Sequence, residues 1–151
     1  MSAPKRAAYV LVDANVFLRI FVRENETMFA DCHSFFQAIK SGSIDAYIPT
    51  VIAAEVSFVL SSHYKLSKPA ILQALESMGA SSGLKILDDL QMSLGIALYK
   101  SHTVKLIDCL LASSKRIQEG NAVILSYDRD FDKLGIRRLE PRDILKRSPF
   151  H

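Results

Sequence analysis

The chain has no tryptophan, two cysteines and four histidines, and these scarcities narrow its chemistry. Cys32 and Cys109 have neither the spacing of a zinc site nor a C-x-x-C redox motif, so they read as reduced, partly buried thiols and point weakly to a reducing cytoplasm. His33, His63, His102 and His151 are scattered without zinc spacing, and no histidine general base is expected. No apolar run approaches the length of a membrane span. Tyr9–Val12 is too short for the core of a secretory signal, and Asp13 closes it, so neither export nor membrane insertion is expected.

There is also no low-complexity tract, internal repeat or linker. With 151 residues, 49% of them hydrophobic and 23% charged, the composition is that of one folded domain over 1–151 with a core over about 9–145. Net charge is +3, but Arg129, Lys133, Arg137, Arg138, Arg142, Lys146 and Arg147 crowd the final part of the chain. Such a cluster can hold a polyanion through its phosphates, with Arg129, Lys133, Arg137 and Arg138 as the candidate contacts. A solvated C-terminal face is the equal alternative.

Short apolar runs alternate with helical periodicity. Strands are predicted at Tyr9–Asp13, at Asp45–Ile48 before Pro49, at Leu84–Leu87, at Ala122–Leu125 and at Arg137–Leu139. Helices are predicted over Asn15–Phe21, over Met28–Lys40 with Thr27 as cap, and from a Thr50 cap to Ser62. Others follow from Pro69 to Met78, over Asp89–Tyr99, over Leu106–Gln118 and from Pro141 onward. This order predicts an α/β fold: a three-layer α/β/α sandwich around a mostly parallel sheet of four to five strands.

Acidic residues sit where burial is expected. Asp13 ends the first strand, Glu55 lies in the second turn of an apolar helix, Asp108 interrupts Leu-Ile-Asp-Cys-Leu-Leu-Ala, and Asp128, Asp130 and Asp132 follow the strand Ala122–Leu125. In an open parallel sheet, ligands bind beyond the carboxyl ends of the strands, where Asp13 and the 126–132 loop fall on this reading. Two carboxylates about 4 Å apart repel by about 4 kcal/mol at an effective dielectric of 20, so converging acids must be protonated or bind a cation. Oxygen ligands without Cys or His favour Mg²⁺ or Mn²⁺, which serve phosphodiester chemistry through an activated water and a stabilised leaving oxygen. Singly, each acid has an ordinary reading: Asp13 as a helix cap, Asp108 as a first-turn acid and the Asp128–Asp132 group as a solvated turn.

The segments Val-Asp-Ala-Asn-Val-Phe, Ile-Pro-Thr-Val-Ile-Ala-Ala-Glu-Val, Leu-Ile-Asp-Cys-Leu-Leu-Ala and Ile-Leu-Ser-Tyr-Asp-Arg-Asp-Phe-Asp-Lys-Leu resemble, in this order, the motifs of PIN-domain ribonucleases. The resemblance runs from Tyr9 to Leu145. It implies that Asp13, Glu55, Asp108 and either Asp128 or Asp130 bind Mg²⁺ or Mn²⁺, supported by Asn15 and by Ser126 where the family usually has Thr, with Asp132 left at the surface. The small size is similar to that of the VapC toxins of toxin–antitoxin pairs. A homodimer, an RNA substrate, a cytoplasmic location and a cognate antitoxin are then expected; Phe29, Phe35, Phe36, Phe58 and Tyr64 are candidates for an apolar groove that takes the antitoxin, with a plain core role the more ordinary reading for any one of them. A catalytically silent scaffold that binds RNA or a protein is the alternative. A phospho-acceptor enzyme fits poorly, because Asp13-Ala-Asn15 lacks the second aspartate that a nucleophile-and-acid pair uses.

Overall fold

The structure, a computed structural model, describes residues 9–146. Strand β1 (Tyr9–Val12) is the middle of a five-stranded sheet, with β2 (Asp45–Ile48) and β3 (Leu84–Ile86) on one side and β4 (Ala122–Leu125) and β5 (Arg138–Leu139) on the other. The order is β3-β2-β1-β4-β5 and every neighbouring pair is parallel. Ala-Val-Ile-Leu of β4 is buried at each position, as a parallel strand covered on both faces requires.

The helices are α1 (Ala14–Phe21), α2 (Glu26–Lys40), α3 (Thr50–Ser62), α4 (Lys68–Ala80), α5 (Met92–Ser101), α6 (Leu106–Ala112), α7 (Lys115–Gln118), α8 (Asp130–Lys133) and α9 (Pro141–Leu145). The result is the predicted three-layer α/β/α arrangement. After β1 the chain builds outward through β2 and β3, then returns to place β4 against the other edge of β1. That reversal opens a crevice beyond the carboxyl ends of β1 and β4. In the register Val12 faces Leu125, so the next residues, Asp13 and Ser126, leave the sheet side by side.

Several predicted helix boundaries shift, each because a more distant or better placed polar group takes the role. Asn25 rather than Thr27 caps α2, accepting from the Met28 amide at 3.0 Å. Thr50 is already inside α3, and its amide and hydroxyl both donate to Asp88, which follows β3. The predicted helix over Leu106–Gln118 breaks at Ser113 and Ser114 into α6 and α7. Its companion starts at Met92, because Asp89 is held in a loop instead.

Asp89 explains the break. Its carboxylate accepts from the Ser114 hydroxyl at 2.8 Å and the Arg116 amide at 3.1 Å, with the Arg116 guanidinium 3.6 Å away. Since the Ser114 proton goes to Asp89, the Tyr47 hydroxyl donates to Ser114 Oγ across 2.7 Å. This polar strut ties the β3–α5 loop to the α6–α7 corner and to the buried face of β2. Asp89→Ala strands these donors without an acceptor. It should cost about 2–3 kcal/mol and lower the melting temperature by roughly 5–10 °C in thermal unfolding. A shift below about 1 °C would show that the strut contributes little.

Candidate functional site

Asp13 is both a helix cap and a wall of the crevice. Its Oδ1 accepts from the Ala14 amide at 2.8 Å, and its Oδ2 accepts from the Ser126 hydroxyl at 2.6 Å and from Asn15 Nδ2 at 3.2 Å. Ser126 Oγ also accepts from Asn15 Nδ2 at 2.9 Å and from the Asp128 amide at 3.0 Å, so its one donor and two acceptor positions are all used. Asn15 Oδ1 in turn takes the Tyr127 amide at 3.2 Å, and Asp128 Oδ1 takes the Asp130 amide at 2.9 Å. Asn15 and Ser126 thus clasp the ends of β1 and β4 together and aim the loop that carries Asp128 and Asp130.

Asp108 reaches the crevice from the first turn of α6, and Glu55 from α3. Asp13 and Asp108 are only 4% and 2% exposed. Glu55 Oε2 and Asp108 Oδ2 are buried with no hydrogen-bond partner among the described residues. One carboxylate oxygen from each of Asp108, Asp128 and Asp130 lies within 4.8 Å of the others. Asp13 and Glu55 stand outside this triad but close enough for their charges to act on it.

The electrostatics follow from burial and crowding. Desolvation, reinforced by the neighbouring carboxylates, raises Asp13 and Glu55 above the ordinary carboxylate range and pushes Asp108 up to about 7. The charge of Asp128 contributes to all three shifts. Between Asp128 and Asp130, Asp128 is therefore the acid coupled to the rest, while Asp130 also pairs with Lys133 at 3.1 Å.

Lys105 is the residue that sequence reasoning missed. Its Nζ lies 3.9 Å from Asp108 Oδ2 and 3.7 Å from Asp128 Oδ2. The available signal was a cation at the N-cap of a helix, where the dipole disfavours positive charge, three residues before Asp108.

Among the expected polyanion contacts, Arg129, Lys133 and Arg137 are exposed. Arg138 differs: its side chain is 12% exposed, and it donates to Asp132, to Glu140 and to the Ser126 carbonyl. A guanidinium free for phosphate was expected, and a strut bracing the Ser126 loop is found. Asp132 lies at the surface, where it pairs with Arg138. Arg147 lies outside the described residues. The five aromatic residues do not form one groove, since Phe35 is fully buried, Phe36 packs on Phe17, and Phe58 is exposed on α3.

The donor set fits a small hard cation: the group offers carboxylate oxygens only, from buried Asp108 and half-buried Asp128 and Asp130, it is mutually repulsive, and Asp108 and nearby Glu55 each keep a buried oxygen without a hydrogen-bond partner. Fold and site together define a doubly wound α/β protein with an acid-lined crest. A family model described as the PIN domain matches residues 10–137, and the chain belongs to that family. PIN domains are generally nucleases. No curated protein matches the sequence. Among solved structures, the crystal structure of VapBC2 from Rickettsia felis bound to a DNA fragment from their promoter contains a chain that is 16% identical. The match has a TM-score of 0.62 and covers 87% of this chain and 98% of that one.

Because Asp13, Glu55 and Asp108 all have raised pKa values in the folded state, the native protein holds protons that the unfolded chain releases near pH 4. That stability is complete at low pH and is lost as pH rises toward 7. Metal-free protein should therefore melt at a higher temperature at pH 5 than at pH 8. Asp108→Asn should raise the pH 8 value by roughly 4–8 °C, or about 2 kcal/mol. Metal-free stability that climbs from pH 5 to pH 8 would contradict this.

Proposed function

We propose that the protein is a Mg²⁺- or Mn²⁺-dependent endoribonuclease and the toxin of a toxin–antitoxin pair. The observation that carries this reading is the convergence of buried carboxylates, two with unpartnered oxygens, at the switch point of a PIN domain. Asp108, Asp128 and Asp130 would hold the cation, with Glu55 and Asp13 beside it. When bound, such a cation supplies an activated water and charge stabilisation for phosphodiester hydrolysis.

The chain's own residues do the rest. Asn15 and Ser126 hold Asp13 in one orientation, and Arg138 fixes the Ser126 loop from behind. Arg129 on the crevice loop, Lys133 at the end of α8 and Arg137 just before β5 are exposed and suited to the phosphates of an RNA strand.

The toxin reading draws support from the likeness to a VapBC2 chain and from two apolar features. Phe17, Ile20, Phe21, Phe36 and Met78 line an apolar depression among α1, α2 and α4 that suits a helix of an antitoxin. Met92, Ile96 and Tyr99 stand exposed at helical spacing along α5, a stripe suited to a second copy in a homodimer. No helix among the described residues is long and apolar enough to cross a membrane.

Cleavage of a structured RNA pool should require Mg²⁺ or Mn²⁺ and stop in EDTA. Asp13→Ala and Asp108→Asn should each slow it by about 100-fold or more. Undiminished cutting in EDTA or by both variants would refute the mechanism. RNA binding without cutting in Mn²⁺ would instead identify a silent scaffold.

A further inference from the structure

We propose that Lys105 is a built-in competitor for the divalent cation: its ammonium occupies the space between Asp108 and Asp128, and the ion binds by turning this side chain out. The inference rests on the metal-site reading above and adds a control on occupancy to it.

The geometry points this way on three counts. First, Nζ is shared between Oδ2 of Asp108 and Oδ2 of Asp128, two of the three carboxylates that group within 4.8 Å. Second, both separations, 3.9 and 3.7 Å, exceed the roughly 2.7–2.9 Å of a charge-assisted hydrogen bond. Asp108 Oδ2 accordingly counts as buried without a hydrogen-bond partner. The ammonium offsets charge without satisfying the oxygen that a smaller cation would satisfy. Third, the Lys105 side chain is 60% exposed while that of Asp108 is 3% exposed, so the lysine can swing into solvent while the acid stays fixed. Ion pairs with so exposed a partner are weak and easily exchanged.

The lysine resembles a placeholder more than a ligand. In metal-free protein it moderates the repulsion among the acids. In the presence of the ion it is a like charge that must leave, so it sets the concentration of Mg²⁺ or Mn²⁺ at which the site fills. Lys133 is not equivalent, because it pairs with Asp130 alone.

The test is Mn²⁺ binding by isothermal titration calorimetry to the full chain and to Lys105→Met and Lys105→Arg variants, with melting temperatures recorded without metal. Lys105→Met should bind Mn²⁺ about tenfold more tightly, about 1.4 kcal/mol, yet melt lower when metal-free. Lys105→Arg, which keeps the charge, should bind like the unmodified protein. Opposite signs of the two effects separate competition from general damage to the fold. Equal or weaker Mn²⁺ binding by Lys105→Met, with the unmodified protein binding normally, would overturn the competitor role and leave the metal site standing. Binding by neither protein would overturn both. Should Lys105→Met not fold, reductive methylation of the unmodified protein decides: Mn²⁺ should speed labelling of Lys105 several-fold, and unchanged or slower labelling would overturn the role.

Discussion

The parallel register of β1 with β4 sets Val12 opposite Leu125, and through that single alignment Asp13 and Ser126 emerge together at the crest of the sheet. The hydroxyl of Ser126 donates to Asp13 and accepts from Asn15 and from the Asp128 amide, so the two strand ends and the following loop share one saturated polar node. Without it the Asp128 loop would lose its tether to β1. Asp108 and Glu55 come to the same place on helices whose own placement depends on remote acids. Asp88 anchors the first turn of α3, and Asp89 pins the corner where α6 ends.

The cost of this arrangement is electrostatic. A fold selected only for stability would not aim several carboxylates into one crevice and leave Glu55 Oε2 and Asp108 Oδ2 buried without hydrogen bonds. The uncompensated acids mark the place where stability has yielded to function. Lys105 moderates the conflict from the solvent side without removing it, since its ammonium stays beyond hydrogen-bonding distance of Asp108. A hard cation resolves it by neutralising charge at the oxygens themselves.

What could be read from the sequence followed locality. The strands Tyr9–Val12 and Ala122–Leu125 were legible because fully covered parallel strands are short apolar runs, and a mostly parallel sheet of four to five strands follows from their alternation with helices; the structure has five, all parallel. The motif acids were legible because carboxylates beside apolar runs demand an explanation. Features that depend on chain-distant partners were not. Thr50 has the composition of a cap but is itself bonded by Asp88, and Ser113 and Ser114 break a periodic helix because Gln91 and Asp89 reach them, respectively, from a loop. Arg138 looked like one more basic residue in a basic tail, and only its position beside Asp132, Glu140 and the Ser126 carbonyl reveals a strut. Lys105 escaped for the same reason, since its approach to Asp128 depends on the packing of α6 beside the 126–130 loop.

The central claim is that the crowded acids of the crest are a cation site. Anomalous diffraction from crystals equilibrated with Mn²⁺ tests it most directly. The account predicts a strong anomalous peak within coordination distance of Asp108 and Asp128, with Asp130 or Glu55 completing the shell and Lys105 displaced. A crest with no peak at saturating Mn²⁺, and with Lys105 still lodged between Asp108 and Asp128, would contradict it.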